Sequence, residues 1–168
     1  FIRCADAETS FRKRKTLITS GTLVPLSLFK TIGLFREDYF IDSVDHEFCL
    51  RARAHGCRIL ISCRSVMEHS IGAHAEKASR LRQFMSFNHS PARKYYIARN
   101  VIATVKSYFL QEPVWSMRQG WRLLSDFASI LLFEDEKLKK STAFMVGLAH
   151  GISGRMGYIE KAWPNGPR

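Results

Sequence analysis

No apolar run in this sequence reaches the roughly 20 residues that a membrane-spanning helix needs. The best candidate, Trp121 to Phe133, is short and carries Arg122 and Asp126. The four cysteines (Cys4, Cys49, Cys57, Cys63) contain no C-x-x-C pair, so neither a zinc ribbon nor a thiol redox motif is suggested. Buried, reduced thiols in a cytosolic protein are the expected state. Glycine is scarce at the front end, which therefore offers no phosphate-cradling loop. A signal peptide and a starter methionine are also missing, and the chain, opening at Phe1, is expected to be a piece of a longer protein. Acidic residues are few: 15 Asp and Glu stand against 26 Lys and Arg, for a net charge of +11.

What is present is enough for a core. The 168 residues are 46% hydrophobic, which supports a globular chain and excludes a disordered one. The basic residues cluster at Arg12-Lys13-Arg14-Lys15, Lys77 to Arg82, Arg93-Lys94 and Lys137 to Lys140. Such a balance suits nucleic acid, an anionic membrane surface or a phosphorylated substrate. Each cluster taken singly also fits a solvated face. No nucleic-acid-binding motif accompanies them, so a non-enzymatic basic module is the rival reading and ranks second.

In chain order, residues 1–15 read as a mobile loop or a joint to preceding sequence. Thr16 to Val24 is β-rich and predicts a strand, with Thr19-Ser20-Gly21 small enough to let a ligand approach the backbone. Pro25 and Ser27 open a short helix that Gly33 stops. After an acidic segment comes a second helix, closed by Gly56, then a strand over Arg58 to Ser62 and another over Ser65 to Glu68 that leads to His69. From Ser90-Pro91, an N-cap followed by a first-turn proline, the pattern is helical. Three helices are predicted: one through RKYYIARNVIATVKSYF, one over Val114 to Phe133 and one over Glu136 to Ser153. Tyr95, Tyr96, Arg99 and Asn100 lie on neighbouring positions of the first. They suit sugar or phosphate contacts, or else a helix whose aromatics pack and whose arginine stays wet. Aromatics interleaved with Lys and Arg in this region fit an anionic bilayer, and packing explains the same stripes.

The stretch FREDYFIDSVDHEFCLRARAHG (Phe35 to Gly56) organises the rest. Asp42, Asp45 and Glu47 crowd a helix start, with Phe48, Leu50, Ala52, Ala54 and Cys57 on an apolar side and Glu47, Arg51 and Arg53 on a wet one. Asp45 fits an N-cap, and Glu47 fits both the helix dipole and an ion pair with Arg51. The same residues also fit a polar active site.

Three stretches, TSGTLVPLSLFKTIGLF, the acidic helix and VMEHSIGAH, together resemble the second half of the catalytic domain of family 2 glycosyltransferases, most of all bacterial rhamnosyltransferases that use dTDP-rhamnose. Gly33, Phe35, Glu37 or Asp38, and Phe40 match the G-x-F-x-E-x-x-F turn. Cys49-Leu50-Arg51 fixes the register, so that Val44-Asp45 occupies the Glu-Asp position with only the aspartate kept. The Y-Y-x-x-R-N segment has counterparts there too. The resemblance implies an α/β fold: residues 1–88 as the C-terminal, acceptor-side part of a GT-A domain, and residues 89–168 as a helical region facing membrane or acceptor.

It further implies an inverting transferase with Asp45 as catalytic base. Thr19, Ser20, Gly21, Glu47 and Arg51 would shape the acceptor pocket, and His69, with His74 as a weaker rival, would ligate Mn²⁺ or Mg²⁺. Tyr95, Tyr96, Arg99 and Asn100 would be lipid or phosphate contacts. The implied partners are dTDP-rhamnose or a UDP-sugar and a saccharide or polyprenyl-linked acceptor, at the inner face of a bacterial cytoplasmic membrane. A homodimer joined through exposed sheet edges fits as well. The D-x-D metal motif is absent; Glu134-Asp135-Glu136 is similar to it only superficially and is expected to start a helix. With the donor-binding strands missing, the isolated piece is expected to be inactive.

Overall fold

The computed structural model describes residues 10–65, 67 and 88–162. They fall into two compact units, one of residues 10–35, 45–65 and 67, the other of 36–44 and 88–162.

The first unit holds a two-stranded antiparallel sheet and two helices. Strand β1 (Phe11–Arg14) pairs with β2 (Ile59–Ser62), Phe11 opposite Ser62 and Arg14 opposite Ile59. Helix α1 (Leu26–Ile32) ends at Gly33, whose φ of 82° suits glycine and whose N–H donates to the Phe29 carbonyl. Helix α2 (Val44–Ala54) buries Phe48, Leu50 and Ala52. Phe48 and Ala52 form a core with Ile32, flanked by Phe29, Phe35 and Ile59. The Phe35 and Phe48 ring centroids lie 4.3 Å apart, and burying one such ring stabilises by roughly 1.5–3 kcal/mol. Phe48→Ala would remove it from the centre of this small core.

Several expectations are corrected here. The strand predicted over Thr16 to Val24 is absent. Gly21 (φ 71°) sits in a turn closed by the Thr22 N–H on the Thr19 carbonyl, and Pro25 has no N–H to give a ladder. The paired strand is instead Phe11–Arg14, within the segment read as a loop. It joins the sheet through its backbone while its side chains stay largely wet, which a hydrophobic pattern does not reveal. Ser65 and Met67 are not in a strand, and the rest of that predicted strand lies outside the described residues. Cys49 and Cys57 are free thiols as expected, but Cys63 is disulfide-bonded.

In the second unit, α3 (Pro91–Tyr108), α4 (Pro113–Phe133) and α5 (Lys137–Ser153) lie close to their predicted spans, followed by a short α6 (Ile159–Ala162). Ser90 Oγ accepts the Arg93 N–H, so the expected cap is present. Helices α3 and α5 pack closely because Gly147 and Gly151 present no side chain. A Cβ on either would come within 2.4 and 2.6 Å of the Tyr95 and Arg99 carbonyl oxygens. Ala98, Val101, Leu123, Ile130 and Phe144 form the core shared by the three helices. Among the described residues no helix is long and apolar enough to cross a membrane.

Candidate active site

Asp45 lies in the first turn of α2 and not at its N-cap, because the helix already begins at Val44. Its Oδ1 accepts the His46 N–H at 2.8 Å, and it takes part in no ion pair among the described residues. The carboxylate is partly exposed and gains from the positive end of the helix. One turn on, the Cys49 thiol lies 3.8 Å from the Leu17 carbonyl oxygen. Burial pushes this thiol above its ordinary value, and the charge of Asp45 pushes it further, so it stays protonated. Cys49 thereby sets the chain around Leu17 beside α2, two residues before the Thr19–Gly21 turn. Thr19, Ser20 and Gly21 are exposed in that turn. A Cβ on Gly21 would meet Met67 Sδ at 2.9 Å.

Glu47 and Arg51, expected on a wet face shaping a pocket, do something else. Glu47 is 3% exposed and receives Arg51 Nη2 at 3.1 Å. The same guanidinium donates to the carbonyl oxygens of Ile32 at 2.6 Å and Leu34 at 2.8 Å. The last carbonyls of α1 have no partner within their own helix, and Arg51 supplies one. The pair fastens the end of α1 to α2, the element that carries Asp45.

Tyr95, Tyr96, Arg99 and Asn100, expected as lipid or phosphate contacts, are all four buried in the second unit. Arg99 is wholly buried, its guanidinium 4.9 Å from the Tyr96 ring centroid. It donates to Asn100 Oδ1 and to the carbonyl oxygens of Asp38, Tyr39 and Gly157. Asn100 Nδ2 donates to the carbonyl oxygens of Tyr39, Ile41 and Asp42 at 2.9, 2.6 and 2.9 Å. Thr104 gives its hydroxyl hydrogen to the Asn100 carbonyl and so accepts from the Tyr39 hydroxyl. These bonds enclose a segment in which Phe40, Asp42 and Ser43 all have φ between 60° and 64°. Each such residue costs on the order of 1 kcal/mol or more and persists only where its surroundings over-determine it. The buried donors of α3 supply that constraint directly ahead of α2.

Two further arrangements escaped the sequence reading. Arg93 makes a two-pronged ion pair with Asp42, at 3.0 and 3.1 Å. Glu134, from the acidic triplet, lies buried between Lys94 at 2.5 Å and Lys140 at 3.1 Å. Both lysines stand in clusters read as surface charge; only their spacing on apolar helix faces gave a signal of burial. Lys140 also donates to Asn88 Oδ1, and Asn88 Nδ2 donates to Asp135. Glu134-Asp135-Glu136 precedes α5, as expected of a helix start. His69 and His74 lie outside the described residues, and among those described no group of three or more His, Cys, Asp or Glu is placed to hold a metal ion.

No protein-family model and no solved structure matches the chain. A curated protein does: over 156 residues the chain is 29% identical to dTDP-rhamnosyl transferase RfbF of Shigella flexneri. The chain is thus similar in sequence to a rhamnosyltransferase. The match takes in 93% of this chain, and so part of both units, but 51% of the relative; the chain spans about half the length of that protein.

Proposed function

We infer that this chain is the C-terminal, acceptor-side part of an inverting GT-A glycosyltransferase that moves rhamnose from dTDP-rhamnose to a saccharide or lipid-linked acceptor. The similarity to a dTDP-rhamnosyl transferase along nearly the whole chain carries this reading. Asp45 is the group suited to the chemistry. It is a carboxylate with no ion pair among the described residues, in the first turn of a helix that Arg51 and Glu47 hold in place. As the acceptor oxygen attacks the anomeric carbon from the face opposite the nucleotide, Asp45 takes the hydroxyl proton and the sugar–phosphate bond breaks, releasing dTDP. A positioned base of this kind contributes roughly 10²–10⁴ in rate. The exposed Thr19–Gly21 turn is the proposed acceptor contact. A Mn²⁺ or Mg²⁺ requirement with His69 as one ligand belongs to the same proposal, but the described residues do not build a metal centre and no step here runs through one. The basic composition is weaker support for the nucleic-acid reading than it first suggests, because Lys94, Arg99 and Lys140 are buried on internal acceptors.

The test uses the full-length parent protein. Nucleotide release is followed from dTDP-rhamnose, UDP-glucose and UDP-galactose with a lipid-linked acceptor, for wild type and Asp45→Asn. Turnover of dTDP-rhamnose that falls at least about 10²-fold in the variant, with an unchanged circular dichroism spectrum, is expected. Full activity in Asp45→Asn would remove that residue from the mechanism, and turnover of a UDP-sugar alone would remove the donor assignment.

A further inference from the structure

Helix α4 is apolar on two sides. One side, with Trp115, Leu123 and Ile130, is buried in the second unit. The other is exposed and carries Val114, Met117, Trp121, Leu124, Ala128 and Leu131, spaced alternately three and four residues apart. Three of these are large and almost bare: Trp121 is 73% exposed, Met117 69% and Leu124 65%. Leu110, 88% exposed just ahead of the helix, continues the spacing. Alternation of three and four is the 3.5-residue period of a helix-to-helix seam, a stripe about 100° wide, and not the broad half-cylinder that suits a bilayer surface.

We propose that this stripe is the interface of a homodimer in which α4 packs antiparallel on α4 of a second copy. The seam is self-complementary about a two-fold axis between Trp121 and Leu124. In that register Trp121 faces Leu124 of the other copy, Met117 faces Ala128, and Val114 faces Leu131. Every layer pairs one position of the seam with the other, and large faces small where Met117 meets Ala128. A two-fold axis closes the contact, so no chain of further copies follows. The exposed apolar side chains together supply on the order of 600 Å² per copy, close to the ~800 Å² of a standard interface. Left uncovered, a patch of this size is at the limit of what monomeric proteins expose. The interface is independent of the catalytic reading above and uses no residue assigned to it.

Sedimentation equilibrium of the full-length parent at about 1–100 μM is expected to give the dimer mass. Leu124→Glu, which places a charge in a central layer but on the surface of a single copy, should give a folded monomer. Register is read by oxidative cross-linking: Met117→Cys with Ala128→Cys in one chain should form an intermolecular disulfide, while Met117→Cys alone should not. A wild-type monomer throughout that range overturns the proposal. So does a Leu124→Glu dimer, or a cross-link through Met117→Cys alone, which would mean parallel pairing. A monomer that floats with anionic phosphatidylglycerol vesicles in a Trp121-dependent way would assign the stripe to lipid instead.

Discussion

Asn100 holds the carbonyl oxygen of Ile41 at 2.6 Å across 59 residues of chain. Its amide also serves Tyr39 and Asp42, so one side chain donates to three carbonyls with only two hydrogens, and at least one bond is shared. Asn100→Ala leaves buried carbonyls unmatched and is expected to lower stability by about 2–3 kcal/mol. Asn100→Asp should be worse, since it sets a carboxylate against three carbonyl oxygens. Urea unfolding of the three proteins side by side gives the order; Asn100→Asp as stable as wild type would contradict it.

Among the described residues, Glu134 is the one carboxylate shared by two buried ammonium groups. Glu134→Gln removes the charge and keeps the shape, leaving Lys94 and Lys140 uncompensated in the interior, so a loss of about 3–5 kcal/mol is expected. Replacing all three by apolar residues (Lys94→Met, Glu134→Leu, Lys140→Met) should recover most of it, because the cost lies in burying charge without a partner. Denaturant titration of both variants separates this from a simple packing defect, for which the triple variant would be the less stable.

The close approach of α3 and α5 depends on glycine at two positions. Gly147→Ala and Gly151→Ala each drive a methyl into backbone of α3 and should cost at least about 1–3 kcal/mol. Gly120→Ala on α4 meets nothing within 4 Å and should stabilise by up to about 1 kcal/mol through helix propensity. Melting temperatures moving in opposite directions are the expected result.

Two histidines of the second unit make it sensitive to mild acid. His89 is held below its ordinary value by burial and by Arg93 and Lys94, against the opposing pull of Asp42 and Glu134. His150 bonds the Tyr95 hydroxyl at 2.9 Å and is lowered by burial, Arg155 and Arg99. Both groups bind protons more readily unfolded than folded. Their contribution is therefore complete above the unfolded value near 6.5 and is lost as pH falls below it. Asp126, raised by burial, works in the opposite direction at the lower pH where carboxylates titrate. Chemical denaturation at pH 7.5 and pH 5.5 should show lower stability at 5.5, and His150→Gln should flatten the difference.

The helices were legible because their signals are local. Ser90-Pro91 announced the start of α3, Pro113 that of α4, and Gly33, Gly56 and Gly154 have the positive φ that glycine tolerates at helix ends. β1 was not, because FRKR earns its place by backbone pairing with a strand some 50 residues on. The apolar run from Thr16 to Val24 misled because a turn at Gly21 interrupts it. At the candidate site, Asp45 was visible through its register with Cys49-Leu50-Arg51. The roles of Arg99 and Asn100 were not: whether an arginine on a helix faces water or a distant loop depends on the fold, and charge alone argued for water.

The distance along the chain between the acidic segment and the helix that shapes it has a consequence for biosynthesis. Translation at ~5–20 residues per second puts about 3–12 s between the appearance of Ile41 and that of Asn100, using their separation of 59 residues. During that interval α1, α2 and their apolar core can form, while Phe40, Asp42 and Ser43 lack the α3 donors that hold them at positive φ. The residues just ahead of Asp45 are thus set only after α3 has been made, although they precede it by some 50 residues. A chain terminated between α2 and α3 would still contain every residue of the proposed catalytic helix, yet the backbone leading into it would lack the groups that fix it.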